Sequence, residues 1–150
     1  MNDRPDISQS AHASALAAEL RSVVGKLKRR LQDQSSVGDL TSSQIAVLLR
    51  LEKEGPATAS NLARAEGMRP QSMGSVIAPL EAAGLLSGTA DPNDGRQTLL
   101  SLTEACRKLI QESRAARQDW LSRSILAKLS ARDQERLASA IELLKRLAED

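Results

Sequence analysis

The sequence predicts a mainly α-helical fold with one small β-hairpin, and three features of the chain support this. Apolar residues near both ends recur at the three-and-four spacing of helices. Short segments with helix start and stop signals occupy the middle, between residues 41 and 83. Two β-prone runs then enclose a loop dense in turn-forming residues. The 150 residues suffice for one domain, or for two small lobes, to fold without disulfides.

Long helices are predicted at both ends of the chain. Residues 1–10 are polar and are predicted to form a flexible tail, whereas 11–40 and 104–150 are assigned to a helical region. Thr103 and Ser130 stand where N-caps of the fifth and sixth helices are expected. The terminal stripes include Leu16, Leu20, Leu137, Ile141 and Leu144. These stripes lie far in sequence from the central lobe, so we expect them to form a homodimer interface.

Residues 41–83 are divided into three short helices by local signals. The start signals are the capping box of Thr41 with Gln44, Thr58, and Pro70 at a first helical position. The stop signals are Gly55-Pro56 and Gly67. The third and fourth helices are joined by a few residues that include a glycine, which is typical of a helix-turn-helix. Pro79 lies inside the fourth helix and is expected to kink or loosen its last turns.

The hairpin that follows is predicted to have an exposed tip, DPNDGR. Pro92 presets a turn, and Gly95 can supply a positive φ if one is needed. Asp94 and Arg96 flank that glycine, so the carboxylate can hold the guanidinium in one orientation. The pair is interpreted either as a turn-stabilising salt bridge or as a device that directs an arginine into the minor groove of DNA.

Composition excludes several classes of function. With one cysteine and one histidine, the chain has neither an internal disulfide nor the ligands of a zinc site, so no metal is predicted. No nucleophile motif, metalloprotease motif or phosphate-binding loop occurs, so we predict no catalytic residue, no cofactor and no enzyme activity. The absence of Phe and Tyr, with a single Trp, removes the stacking platforms of single-strand and RNA binders. If the chain binds nucleic acid, we therefore expect the duplex form.

The apolar runs are too short to span a bilayer, and the start of the chain does not resemble a signal peptide. We therefore expect a cytoplasmic protein with no membrane association.

The fourth helix carries the predicted DNA-reading surface. Met73, Ile77 and Leu80 fall on its inner side, and the outer side is small, neutral and hydrogen-bonding, with Gln71, Ser72 and Ser75. Such side chains can approach base edges, where Gln pairs with adenine and Ser serves several bases. An ordinary solvated face is the alternative, although such faces usually carry Lys and Glu. Arg69 occupies the N-cap and is either a phosphate or base contact or an indifferent surface arginine.

Three stretches of this sequence resemble the MarR family of multiple antibiotic resistance regulators. LTSSQIAVLLRL (40–51) is similar to the family's LTxxQxxVLxxL, and RPQSMGSVIAPLEAAGLL (69–86) to its recognition helix. DPNDGRQTLLSLT (91–103) resembles its wing. The resemblance implies a winged helix-turn-helix lobe at 41–103 in a two-fold dimer, with the recognition helix in the major groove and the wing over the minor groove. Arg96 would make the wing contact and Asp94 would position it.

The resemblance also implies a sequence-specific transcription regulator of a pseudo-palindromic site, such as a repressor released by a small-molecule effector. A winged-helix protein-interaction scaffold is the alternative, because residues 41–103 carry five basic and six acidic side chains and therefore no net positive charge. Cys106 lies on the inward stripe of the fifth helix and is predicted to be a buried, inert thiol, with oxidant sensing as the alternative. Trp120 is predicted to lie in the core or to line a cavity, and His12 to lie on the surface.

Overall fold

The computed structural model describes residues 6–35 and 39–150. In this part of the chain six helices accompany a three-stranded antiparallel sheet, which confirms the predicted fold class. The elements are α1 (Ile7–Gln32), α2 (Ser42–Glu54), β1 (Ala57–Thr58), α3 (Ala59–Ala65), α4 (Pro70–Ala82), β2 (Leu86–Ala90), β3 (Thr98–Leu102), α5 (Glu104–Lys128) and α6 (Ala131–Ala148).

The chain divides into two compact units. A central unit lies between Ser35 and Ala115, and a helical unit comprises the described residues up to Gln34 together with Ala116–Asp150. The central unit therefore extends past Thr103, the end that the sequence suggested for the DNA-binding lobe. The reason is packing, since Cys106 and Ile110 of α5 belong to the same buried cluster as α2, α4 and the sheet.

The predicted helix starts are confirmed by their hydrogen bonds. The Thr41 hydroxyl accepts from the Gln44 amide at 3.2 Å, and the Gln44 side chain accepts from the Thr41 amide at 2.8 Å. Thr58 caps α3 and Ser130 caps α6, through acceptor distances of 3.2 Å and 3.1 Å. Each cap satisfies backbone donors that a helix start otherwise leaves without a partner.

The two helices of the helix-turn-helix end in the same way. Gly67 (φ 64°) and Gly84 (φ 75°) adopt the left-handed conformation, which glycine reaches without the steric cost of a Cβ. The amide of the next residue then donates to the carbonyl five residues earlier, from Met68 to Ala63 and from Leu85 to Leu80. These Schellman motifs fix where α3 and α4 stop, and thus the angle at which the chain leaves each helix.

The hydrophobic core lies in the central unit. It is formed by Val47, Leu48, Leu51, Leu62, Ala63, Met73, Ile77, Leu80, Leu86, Leu100, Leu102, Cys106 and Ile110. The sheet order is β1-β3-β2, with Leu86 opposite Leu102 and Ala57 opposite Leu100. Because side chains alternate along a strand, this register places Leu86, Leu100 and Leu102 on the face that packs against the helices. Strand β1 was not predicted, since two residues are too few for a periodic signal.

One expectation needs correction. Helix α1 begins at Ile7, inside the stretch expected to be a flexible tail, because no glycine or proline follows Pro5 to break a helix there. The turn at the wing tip does not need a positive φ at Gly95, because Asx hydrogen bonds hold it. Helix α4 continues through Pro79 to Ala82.

Candidate nucleic-acid interface

Helix α4 separates into a buried and an exposed face, as predicted. Met73, Ile77 and Leu80 are buried in the core of the central unit. Gln71 and Ser72 lie exposed in the first turn. The structure therefore places the short polar side chains where they can meet a ligand, held by a helix whose inner face is fully packed.

Ser75 is exposed on the same face, but its hydroxyl has an internal partner. Its Oγ donates to the Gln71 carbonyl at 3.3 Å, a helix back-bond. The hydroxyl oxygen still has lone pairs to accept from an outside donor, such as the amino group of a base. In the free protein Ser75 is thus arranged as an acceptor.

Arg69 is the N-cap of α4, with extended backbone angles and no side-chain capping bond. Its side chain is exposed and makes no salt bridge to any other described residue. A Ser, Thr, Asp or Asn at this position would stabilise the helix by about 1 kcal/mol. Arg69 thus lacks the stabilisation of a side-chain cap, but it places a guanidinium at the start of the exposed face of α4.

The wing tip is a compact turn that presents Arg96. The Asp94 carboxylate accepts from the Arg96 amide at 3.1 Å and lies 3.7 Å from the guanidinium Nε. The Arg96 side chain is 95% exposed, so a salt bridge of this length adds little stability. Asp94 thus orders the backbone at residue 96 while the guanidinium stays available to solvent.

Ion pairs neutralise several carboxylates of the lobe. Arg50 binds Glu66 at 2.7 Å and Glu54 at 3.1 Å, and the Glu66 carboxylate raises the pKa of Arg50. Arg114 of α5 holds Glu52 with two hydrogen bonds, of 2.6 Å and 3.0 Å, and this bond raises the pKa of Arg114. Three of the six acidic side chains counted in the lobe are thereby paired with arginines. Their repulsion of a polyanion is correspondingly reduced.

A groove runs between α4 and the wing, with a volume of about 390 Å³. Ile77 and Leu100 form its buried floor, and Ser60, Gln97 and Thr98 lie along its edges. None of these three polar residues was predicted from the sequence. Gln97 could have been found, because it adjoins Arg96 in the wing. No local pattern marks Ser60, which reaches the groove only through the packing of α3 against α4.

Cys106 is fully buried, as predicted. It has no exposed surface, and burial raises the pKa of its thiol above the ordinary value of 9.0. The reactive thiolate is therefore disfavoured at neutral pH. Trp120 is partly buried, with the Arg30 guanidinium 5.9 Å from the centre of its ring.

Within 6–35 and 39–150, no group of three or more His, Cys, Asp or Glu side chains is placed to hold a metal ion. No helix in those ranges is long and apolar enough to cross a membrane.

Comparisons with known proteins identify the family and the fold of this chain. The sequence model of the MarR family matches residues 40–98. The chain is 36% identical over 135 residues to a Mycobacterium bovis protein named as an uncharacterized HTH-type transcriptional regulator, covering 90% of this chain and 94% of that protein. The chain belongs to the MarR family. Like its relatives, this MarR-family protein is a transcriptional regulator with a DNA-binding fold, and not an enzyme.

Solved structures of MarR-type regulators share the fold. The crystal structure of a transcriptional regulator from Pseudomonas aeruginosa matches with a TM-score of 0.77 and 36% identity, over 93% of this chain and 97% of that one. A mutant of Staphylococcus aureus MepR, bound to an oligodeoxyribonucleotide, matches with a TM-score of 0.71 at 18% identity, over 89% and 98% of the two chains. At that identity the second match supports the winged-helix fold alone.

Proposed function

We propose that this MarR-family protein is a homodimer that binds a specific pseudo-palindromic site on duplex DNA and regulates transcription in the cytoplasm. One observation carries the proposal: the exposed, neutral, hydrogen-bonding face of α4 lies in the same compact unit as a wing whose Arg96 is 95% exposed. A reader of base edges needs the first feature, and a minor-groove contact needs the second.

The residues take distinct roles in this proposal. Gln71, Ser72 and Ser75 read base edges in the major groove, since neutral donors and acceptors discriminate bases there. Arg69 binds a phosphate or a base at the edge of the same groove. Arg96 enters the minor groove, and Asp94 fixes its backbone. The MepR mutant, which shares this fold, is bound to an oligodeoxyribonucleotide, and this supports DNA as the ligand of the proposed interface.

Dimerisation is proposed to run through the helical unit. Neither α1 nor α6 has a fully buried residue within the single chain, although both carry apolar stripes. Val23 is 59% exposed, and Leu147 is 73% exposed. Apolar faces of this extent are stabilised by a partner, and a second copy is the partner that two half-sites of DNA require.

Ligand control completes the proposal. By analogy with the family, the protein acts as a repressor that a small-molecule effector releases from DNA. A ligand can do so only by binding one arrangement of the dimer more tightly than another. Cys106 is not assigned this role, because its thiol is buried and protonated.

A gel-shift assay on the DNA that flanks the gene of this protein tests the function directly. We expect a discrete complex that resists an excess of scrambled duplex and weakens as salt is raised. The alternative is a winged-helix interaction scaffold, which the near-neutral charge of the lobe favours. Duplex binding that is absent, or indifferent to both sequence and salt, would support the scaffold instead.

A further inference from the structure

The groove between α4 and the wing contains polar side chains whose hydrogen-bonding groups have no partner among the described residues. The side chains of Ser60, Gln97 and Thr98 lie along this groove and make no hydrogen bond to any other described residue. The backbone of Gln97 is nevertheless fixed, since its amide donates to Asp94 at 3.0 Å and its carbonyl accepts from Asp91 at 2.9 Å. The groove therefore offers hydrogen-bond donors on an ordered frame.

Small residues keep the groove open. Gly74 and Ala78 of α4 form one wall, and a Cβ added at Gly74 would meet no heavy atom within 4 Å. In the wing, a Cβ on Gly88 would lie 2.5 Å from the Thr98 methyl group. The glycine at 88 thus leaves room for Thr98 beside the groove.

The geometry of duplex DNA indicates which part of the duplex can lie in this groove. The major and minor grooves of a duplex are separated by a sugar-phosphate strand. A recognition helix in the major groove and a wing in the adjacent minor groove must therefore lie on opposite sides of one such strand. Here the space between those two elements is the groove itself, about 390 Å³ in volume.

We propose that this groove holds one phosphodiester strand of the bound duplex, and that the neutral donors Ser60, Gln97 and Thr98 bind its phosphate oxygens. The proposal rests on the DNA-binding function above and adds the residues that seat the backbone. Ser, Thr and Gln side chains commonly make such contacts, which set the register of a protein on DNA. They are suited to a lobe with no net positive charge, because hydrogen bonds here replace contacts that Lys and Arg usually supply.

One carboxylate also lines the groove and provides a second test. Glu81 is exposed and makes no salt bridge to another described residue. A phosphate strand in the groove is repelled by this charge, whereas a cationic ligand would be attracted by it. Removal of the Glu81 charge should therefore raise the affinity of the groove for a phosphate strand and lower its affinity for a cationic ligand.

The experiment measures binding isotherms of the full chain on a cognate and a scrambled duplex at several salt concentrations. Ser60→Ala and Gln97→Ala should each weaken binding to both duplexes by about tenfold, as expected for a lost hydrogen bond to a charged group. The slope of log K against log salt should stay unchanged, because neutral donors release no counterions. Glu81→Gln should strengthen binding to both duplexes.

Matched controls lie outside the groove. Ser43→Ala and Gln111→Ala make the same changes at exposed positions of α2 and α5 within the central unit, and Glu104→Gln removes a charge from that unit. The inference is overturned if the wild type binds its site but the groove variants behave like their controls, or if Glu81→Gln weakens binding. Failure of the proposed function looks different, since the wild type itself would then show no preference for the cognate duplex.

Discussion

At the scale of single residues, the interface combines side chains with different physical tasks. Arg96 is charged and almost fully exposed, whereas Gln71 is neutral and fixed on a packed helix. Charge attracts any phosphate-rich groove, but a neutral amide distinguishes bases only where their edges differ. The two residues should therefore fail in different ways when they are truncated.

Arg96→Ala should weaken binding to cognate and scrambled duplexes by similar factors. The minor groove has a degenerate hydrogen-bond pattern, so most of the loss is electrostatic. The salt slope should flatten by about one ion per monomer. Isotherms at two salt concentrations measure both quantities, and an unchanged affinity on both duplexes would contradict the docking of the wing.

Gln71→Ala should cost roughly 1 to 3 kcal/mol on the cognate duplex and leave scrambled DNA nearly unaffected. The reason is that each base pair presents its own pattern in the major groove. The same isotherms provide the measurement, with Gln111→Ala, at an exposed position of α5 in the central unit, as the matched control. Equal losses on the two duplexes would show that Gln71 does not read bases.

At the scale of elements, helix α4 is not built for maximum stability. It has no capping side chain at Arg69, a glycine at an exposed interior position, and a proline in its last turns. Each feature lowers the stability of an isolated helix. The buried face of α4 and the Schellman motif at Gly84 offset this loss of stability. The helix therefore stays well packed although it lacks a side-chain cap and contains a glycine and a proline.

Gly74→Ala should therefore separate stability from function. An added methyl group meets no atom within 4 Å, so the unfolding free energy should rise by about 0.5 to 1 kcal/mol. DNA affinity should fall, because the methyl group projects into the space proposed for the phosphate strand. Urea denaturation and duplex isotherms test the two halves of the prediction.

Gly25→Ala is the control, since it makes the same change inside α1 with equal space for the methyl group. It should raise the unfolding free energy by a similar amount, which gives the contribution of the glycine-to-alanine change to helix stability alone. If Gly74→Ala left affinity unchanged, close approach of DNA at this position would be excluded.

At the scale of the whole molecule, the distribution of burial is uneven. Every fully buried apolar residue among those described belongs to the central unit, whereas the helical unit leaves large apolar side chains in contact with solvent. Ile141 and Leu144 of α6 are 41% and 39% exposed. A second copy of the chain explains why these stripes exist, since exposed patches of this kind are rare on monomers.

Changing both Ile141→Lys and Leu144→Lys should abolish the dimer. Each protomer would bury two ammonium groups at an apolar interface, and the free energy needed to desolvate them exceeds the free energy gained from the remaining contacts. Light scattering should report a monomer, and circular dichroism shows whether its helices persist. Glu135→Lys, at an exposed position of α6, is the matched control and should remain dimeric. A folded dimer in the double variant would place the interface elsewhere.

The sequence by itself determined the order of elements and most of their ends. Local chemistry is sufficient for this, because a capping box at Thr41, a glycine at 67 and a proline at 70 act through their own backbone neighbours. Helical periodicity likewise identified the inner and outer faces of α4. Periodicity did not predict the two-residue strand β1 or the start of α1, because these segments contain too few apolar residues to show a repeat.

Only the tertiary structure decided which charges remain unpaired and what surrounds the groove. Arg114 and Glu52 are 62 positions apart, so their ion pair is invisible to any local pattern. Ser60 and Thr98 reach one groove because α3, α4 and β3 share a core. Pairing and enclosure depend on contacts between distant segments, and those contacts arise when burial of the apolar core brings the segments together.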